Sequence, residues 1–187
     1  MSLTKDVQRL ICLAIQLTQL QEKPIPKQME FFTIGVYNSS ETNFFEKLTQ
    51  NNIDTFCDIR QRRGVRGAKY SFVNSKRLQQ TLNKLEINYV YIKNLAPTAE
   101  IRAFQKKSDS EKGESKRERQ TLATDFVTEY KNKILENFDF DGLLESLGRI
   151  GANRVAFFCV EEAAEACHRS IVADKLQKDF NFDVTHL

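Results

Sequence analysis

Five short apolar segments are separated by stretches with helical spacing, and this alternation excludes most fold classes. They cover residues 31–36, 53–59, 89–92, 154–159 and 184–186. Short apolar runs of this kind are typical of strands that are buried on both faces of a sheet. Strands that alternate with helices form βαβ units, which need a parallel sheet covered by helices. The sequence therefore predicts a three-layer α/β fold, with a mainly parallel sheet and helices on both faces.

The segments between the apolar runs carry helix signals. Residues 38–40 offer an N-cap before the apolar positions within 44–48, and residues 74–75 do the same before those within 78–85. Further helices are expected over residues 122–134, over residues 143–150 and from the end of the fourth strand to about residue 180. These helices complete the expected crossovers between the strands.

Residues 1–27 are expected to form a separate N-terminal region. Its apolar stripe predicts a helix over residues 3–20 and consists of Leu3, Val7, Leu10, Ala14 and Leu17. Pro24 and Pro26 end this helix and form a short connector before an α/β domain over residues 31–187. The helix is expected to pack on its own domain, and a homodimer contact through it is the alternative.

Composition limits the cellular setting and the partners. Hydrophobic residues make up 41% of the chain, enough for a core, so wholesale disorder is excluded. The four cysteines are too few and too scattered for a disulfide framework, which favours a reducing, cytoplasmic compartment. The apolar stretch over residues 10–17 is far shorter than the roughly 20 residues that span a membrane, so no membrane partner is expected. With a net charge of +3, anion binding requires local clustering of basic residues.

Residues 105–120 differ in character from the rest of the chain. They are almost wholly polar, with Lys and Arg interleaved among Asp and Glu, and Ser and Gly interrupt any periodicity. Such a segment has no apolar side chain that could pack on a core. The sequence therefore predicts a mobile surface loop or lid there.

Unusual residues follow two of the predicted strands, at the ends where open α/β sheets bind ligands. Asp58 and Arg60 end the second strand, and Cys159 and Glu161 end the fourth. Cys167-His168-Arg169 comes shortly afterwards, and a neighbouring cation lowers the pKa of a thiol. Adjacent residues in a helix point about 100° apart, however, so Cys167 and His168 need not touch.

Glutamates also surround this segment. Glu161 is expected just after the fourth strand, and Glu162 and Glu165 are expected at the start of the helix that follows it. Carboxylates are stabilised near a helix N-terminus, so capping is the simplest role for them. An ion pair between Glu161 and Arg169 is a further structural interpretation.

The motifs taken together resemble the DUF488 family, a domain of unknown function. They are Thr33-Ile34-Gly35, Asp58-Ile59-Arg60 and Cys159-x-Glu161-x5-Cys167-His168-Arg169, of which the last is the most specific. The resemblance covers residues 31–187 and leaves the N-terminal helix outside. Because the function of the family is not established, the resemblance implies a fold and a site but names no reaction.

With that resemblance, the cysteine segment becomes the candidate active site of an enzyme. Cys167 or His168 would act as nucleophile or acid–base group, Glu161 would orient it, and Cys159 lies in the same cluster unless it is an inert buried thiol. The predicted partner is a small anionic substrate, and the candidate residues for binding it are Asp58, Arg60, Arg62, Arg63, Arg66 and Arg169.

Zinc is an alternative for the same cluster. Cys159, Glu161, Cys167 and His168 are all zinc-ligand types, but no Cys-x2-Cys pair is present. We therefore predict neither a metal nor a cofactor.

The basic loop over residues 60–77 suggests a second class of function. It contains seven positive residues and no acidic one, with Tyr70 and Phe72 among them. Arginines grip phosphates bidentately and aromatic rings stack on bases. A non-catalytic module that binds nucleic acid or a phosphate-bearing ligand is therefore the alternative. No Walker, G-x-G-x-x-G or G-x-S-x-G motif is present, and Glu165 stands where a cysteine phosphatase motif starting at Cys159 would need Arg.

Overall fold

Five parallel strands form one sheet in the computed structural model, which describes residues 29–187. The strands are β1 Glu30–Ile34, β2 Thr55–Asp58, β3 Asn88–Tyr91, β4 Arg154–Phe158 and β5 Val184–His186. Their order across the sheet is β3-β2-β4-β1-β5. The predicted α/β fold and parallel sheet are confirmed. The predicted N-terminal helix, the Pro connector and the homodimer contact fall on residues outside the described range.

Six helices lie between and after these strands in the described part of the chain. They are α1 Glu41–Gln50, α2 Ser75–Lys84, α3 Ala99–Lys112, α4 Thr124–Lys133, α5 Phe140–Arg149 and α6 His168–Phe180. The predicted caps are confirmed as N-cap positions, since Ser40 caps α1 by accepting a hydrogen bond from the Asn43 amide. Asn74 precedes α2, but its side chain accepts from the Val65 amide instead and so ties the basic loop to the helix start.

The register of the sheet brings three strand ends to one level. Phe158 of β4 pairs with Ile34 of β1 on one side and with Asp58 of β2 on the other. The backbone continues this pairing, because Ile59 donates to the Phe158 carbonyl and Cys159 donates to the Ile34 carbonyl. Residues that follow β1, β2 and β4 are therefore neighbours at the carboxyl edge of the sheet.

Two hydrophobic clusters collect alternate residues of the strands. Phe31, Cys57 and Phe157 belong to one cluster, which also contains side chains from α3, α4, α5 and α6. Phe56 and Phe158 belong to the other, with side chains from α1 and α2. Successive strand side chains point to opposite faces of a sheet, and burial of both sets explains why the strands read as continuous apolar runs.

The prediction of a surface loop over residues 105–120 is wrong for its first half. Helix α3 starts at a Thr98 cap and continues to Lys112, where Gly113 ends it in the left-handed conformation with φ 68°. The second half lacks regular structure but is not detached from the domain, because Arg119 is only 7% exposed. A charged side chain rather than an apolar one attaches this segment.

Candidate active site

The site is built on the loop between β4 and α6. Helix α6 begins at His168, with Cys167 as its N-cap in an extended conformation, so residues 159–167 form a loop and not the first turns of a helix. The expectation that Glu162 and Glu165 lie at the helix start is therefore wrong, whereas Glu161 follows the strand as expected. The predicted strand end at Cys159 is confirmed as the point where the loop begins.

Buried Arg169 holds this loop from beneath. Its two terminal nitrogens donate to the backbone carbonyls of Glu161 and Glu162, both at 2.6 Å. The side chain is 1% exposed and satisfies carbonyls that no helix or strand pairs. The suggested ion pair between Arg169 and the Glu161 carboxylate is thus replaced by hydrogen bonds to the main chain.

Close packing of β1 against the loop explains the glycine in the Thr33-Ile34-Gly35 motif. A Cβ atom placed on Gly35 would lie 1.9 Å from the Glu161 carbonyl oxygen. The next two residues continue the contact, since Val36 and Tyr37 both donate to the Val160 carbonyl. The first and last motifs of the sequence therefore meet across one backbone contact.

Two thiols and an imidazole converge at the mouth of this loop. The Sγ of Cys167 lies 3.7 Å from Nδ1 of His168, and the ligand-type atoms of Cys159, Cys167 and His168 all lie within 4.8 Å of one another. Cys159 donates to Oε2 of Glu161 at 3.2 Å. Adjacent residues touch here because Cys167 is the extended cap residue and precedes the helix, so the helical angle between neighbours does not apply.

The surroundings of Cys167 favour its thiolate. Burial by itself would raise the pKa, but the adjacent Cys159 thiol and the charge of His168 more than offset it and lower the pKa from 9.0 to about 5. The position at the N-terminus of α6 acts in the same direction, because a helix dipole stabilises negative charge there. These contacts therefore favour the thiolate form of Cys167.

His168 and Cys159, the two neighbours of Cys167, both have raised pKa values. Burial opposes protonation of His168, but the thiolate beside it raises the imidazole pKa above its ordinary value, and Nε2 lies 3.2 Å from the Ile59 carbonyl. The adjacent Cys167 sulfur and burial raise the pKa of Cys159 well above the ordinary value. These directions together favour a thiolate on Cys167, a protonated His168 and a neutral thiol on Cys159.

Arg119 and Lys116 reach this cluster from the segment after α3, and sequence reasoning missed both. Arg119 donates to Glu161 at 3.1 Å, to Asp109 at 2.9 Å and to the Ala166 carbonyl at 3.0 Å, and Lys116 lies 3.1 Å from Glu161. Although burial opposes ionisation, Lys116 and other neighbours lower the pKa of Glu161 from 4.5 to about 2. No sequence signal separated Arg119 from the other basic residues of a polar run.

Asp58 and Arg60 form a buried ion pair at the end of β2. Two guanidinium nitrogens contact the two carboxylate oxygens at 2.9 and 2.7 Å, and the guanidinium lies 4.5 Å above the Phe158 ring. Asp58 also accepts from the Tyr89 hydroxyl at 2.8 Å. Within the described residues, Nη1 of Arg60 has no hydrogen-bond partner although it is buried. Arg60 therefore keeps one donor available for another group.

A cavity of about 540 Å³ opens above the cluster, and we call it the basic cavity. Cys159, Glu161, Cys167 and His168 line it together with Arg60, Arg62 and Arg66. The remaining basic residues of its wall are Arg102, Lys106, Lys116, Arg117 and Arg119. Two carboxylates line it, Asp109 and Glu161, and Arg119 contacts both of them. The lining is strongly cationic.

Three of the predicted binding residues do not line the basic cavity. The Arg63 guanidinium lies 4.3 Å from the Tyr91 ring centroid, Asp58 is covered by Arg60, and Arg169 is under the loop. The structure thus brings Arg60 to the thiol cluster but does not bring Arg169 into the same cavity. Sequence adjacency to Cys167 and His168 did not reveal that Arg169 supports the loop.

The side chains of the cluster are of types that bind zinc, so a zinc site is an alternative to a free thiolate. Two thiols and an imidazole nitrogen within 4.8 Å of one another, with Glu161 beside them, supply four ligand types that zinc accepts.

Comparison with known proteins identifies the family. Residues 41–176 match the family model described as "Domain of unknown function DUF488", which covers more than half of the chain. The chain belongs to the DUF488 family. The match contains β2, β4, the loop and most of α6, so the site lies inside the DUF488 region, whereas Gly35 and β5 lie outside it. No curated protein and no solved structure matched the chain. Between residues 29 and 187, no helix is long and apolar enough to cross a membrane.

Proposed function

We propose that this DUF488 protein is an enzyme that acts on a small anionic substrate with the Cys167 thiolate as its nucleophile. The observation that carries the proposal is the 3.7 Å contact between Cys167 Sγ and His168 Nδ1 on the wall of the basic cavity. A cysteine paired with an imidazolium is an activated nucleophile. The other roles follow from the groups around this pair.

Each neighbouring group has a role in the proposed mechanism. His168, held by the Ile59 carbonyl, stabilises the thiolate and supplies a proton to a leaving group once the thiolate has reacted. Lys116 and Arg119 hold the Glu161 carboxylate in place, and this carboxylate accepts a hydrogen bond from the Cys159 thiol. Glu161 therefore orients the cluster. Arg60 offers its free Nη1 to a phosphate or carboxylate on the substrate.

Two alkylating reagents of different charge test the anionic preference. Iodoacetate carries a carboxylate and iodoacetamide does not, so the ratio of their rates at Cys167 should exceed the ratio measured with a small free thiol. The ratio should fall as salt is added, because salt screens the cationic lining. The rates are read from fragment-ion mass spectra of the tryptic peptide that spans residues 155–169, which separate Cys167 from Cys159.

Matched arginine variants sharpen this test. Arg62→Ala and Arg66→Ala remove charges that line the basic cavity and should lower the iodoacetate-to-iodoacetamide ratio. Arg63→Ala removes the same charge from the same loop, but that guanidinium lies on Tyr91 outside the lining and should leave the ratio unchanged. Equal effects from all three variants, or no preference for iodoacetate in the parent protein, would contradict the proposal.

Nucleic-acid binding is the second candidate, and one observation favours it. Arg62 and Arg66 belong to the basic loop and also line the basic cavity, so the two form one basic surface. Beside it, the Arg117 guanidinium lies 5.5 and 5.8 Å from the ring centroids of Tyr37 and Tyr70. Neutralised phosphates release counterions, so replacing Arg62 and Arg66 together should reduce the slope of log affinity against log salt on duplex DNA by about two. An unchanged slope, or no binding at low salt, excludes this candidate. Retained affinity in Cys167→Ser would mark a binding role separate from catalysis.

A further inference from the structure

Cys159 and Cys167 face each other across the loop that carries the site. Cys159 follows the last residue of β4 and Cys167 is the cap of α6, so both ends of the loop terminate in a thiol. The two sulfur atoms lie within 4.8 Å and both residues line the basic cavity. The remaining described cysteine, Cys57, is fully buried in β2 and does not line this cavity.

We propose that Cys159 and Cys167 are a reversible oxidation site, at which a hydroperoxide that enters the basic cavity converts the two thiols into a disulfide. The proposal rests on the proposed function, because it uses the same reactive Cys167. It adds hydroperoxides as a second class of reactant. It also gives the Cys159 sulfur a chemical role, which nucleophilic catalysis at Cys167 does not require.

The chemistry needs two steps. In the first, the Cys167 thiolate attacks the terminal oxygen of the hydroperoxide, an S–O bond forms and the O–O bond breaks. The departing alkoxide takes a proton from His168 or water, so the sulfur is oxidised by two electrons and the peroxide is reduced to an alcohol, or to water from hydrogen peroxide. In the second, the Cys159 sulfur attacks the Cys167 sulfenic acid, the S–S bond forms, the S–O bond breaks, and the thiol proton leaves with the hydroxyl as water.

The neighbouring contacts permit this closure without breaking up the site. To reach the S–S bond length of about 2.05 Å, the sulfurs must approach by less than about 3 Å. Cys159 then gives up its hydrogen bond to Glu161, but Glu161 remains paired with Lys116 and Arg119. His168 keeps its contact with the Ile59 carbonyl. The disulfide removes the thiolate, so peroxide would switch off the proposed enzyme and a thiol reductant would restore it.

The sequence supplies a direct readout for this proposal. Trypsin places Cys159 and Cys167 in one peptide, residues 155–169, whereas Cys57 falls in residues 48–60 and Cys12 in residues 10–27. After treatment of the full chain with hydrogen peroxide and blocking of free thiols, the 155–169 peptide should be lighter by two hydrogen atoms and carry no blocking group. Dithiothreitol before blocking should return two blocked thiols, and the Cys57 peptide should be unchanged throughout.

Two variants identify the order of events. In Cys159→Ser the loss of two hydrogens should disappear entirely, and dimedone should instead trap a sulfenic acid on Cys167. In Cys167→Ser peroxide should leave Cys159 unmodified, because its neutral thiol lacks an activating partner. Cys57→Ala, which removes a thiol away from the basic cavity, is the matched control and should form the 155–169 disulfide as the parent does.

The outcomes separate this proposal from the function it rests on. One outcome is a Cys167 alkylation rate that titrates with pH at a midpoint well below that of an ordinary thiol, while peroxide gives a stable sulfenic acid and no disulfide in the parent. That outcome overturns the oxidation site and leaves the proposed nucleophile intact. Ordinary alkylation at both thiols overturns the nucleophile. Protection of both thiols until a chelator is added overturns both and identifies a metal centre instead.

Discussion

Alkylation of Cys167 across pH measures the central feature of the site, the thiolate beside His168. The pKa of this thiol is lowered from 9.0 to about 5, with burial opposing the change and Cys159 and His168 producing it. Iodoacetamide reacts with the thiolate alone, so the rate should follow a titration with its midpoint near pH 5. Mass spectra of the 155–169 peptide report the reaction.

The rate at pH 7 is a poor measure because two effects nearly cancel. A thiol of pKa about 5 has about 100-fold more thiolate at pH 7 than one of pKa about 9. Nucleophilicity falls with thiol pKa at a slope of about 0.4–0.5, which costs a factor of about 60 over this range. At pH 5 the thiolate fractions differ by about 5,000-fold, so Cys167 should react about 80-fold faster than an ordinary thiol there. Limited access through the cavity lowers the whole profile but does not move its midpoint.

His168→Asn tests the cause of the low pKa. The variant removes an imidazolium whose Nδ1 lies 3.7 Å from Cys167 Sγ. At an effective dielectric constant of about 20, the attraction across that distance is about 4 kcal/mol. This corresponds to about three pH units, so the midpoint should move to about pH 8. His186→Asn changes the other histidine of the chain, which contacts Thr33 on β1, and should leave the midpoint near pH 5. A parent midpoint above pH 8, or one that His168→Asn does not move, would refute the assignment.

Three further predictions concern the support of the site. Gly35→Ala should destabilise the fold by about 1–3 kcal/mol in urea unfolding, because the new Cβ would overlap the Glu161 carbonyl, and a loss below 0.5 kcal/mol would contradict the contact. Tyr130→Phe removes a 2.5 Å hydrogen bond to the buried Leu95 carbonyl and should cost about 1–3 kcal/mol in the same assay, and an unchanged stability would contradict the role of this bond. Because the folded pKa of Glu161 is depressed from 4.5 to about 2, its contribution of up to about 3 kcal/mol is present above pH 4.5 and lost as pH falls towards 2. Glu161→Gln should therefore lose less stability over that range than the parent, and parallel curves would show that the carboxylate is not specially stabilised.

The local pattern of the sequence was sufficient to predict the sheet and the starts of α1 and α2. Strands such as β4 are buried on both faces, so their whole length is apolar and their position shows without any knowledge of neighbours. Caps such as Ser40 act within three residues, so they too are visible locally. The parallel arrangement follows from the alternation of these elements. The Cys-x-Glu-x5-Cys-His-Arg string predicted the candidate site from residues that are close in the chain.

The roles inside the site depended on contacts that sequence distance conceals. Arg119 reaches Glu161 and the Ala166 carbonyl from more than 40 positions away, so its burial could not be read from a polar segment. Arg169 adjoins His168 in sequence, yet its guanidinium lies beneath the loop on backbone carbonyls. A charged side chain can be buried only where partners satisfy it, and those partners are brought together by the sheet register and the course of the loop. The sequence therefore determined which chemical groups the candidate site contains. The tertiary structure decided which of them line the basic cavity and which support the loop, because burial of each charge depends on partners that only the fold brings together.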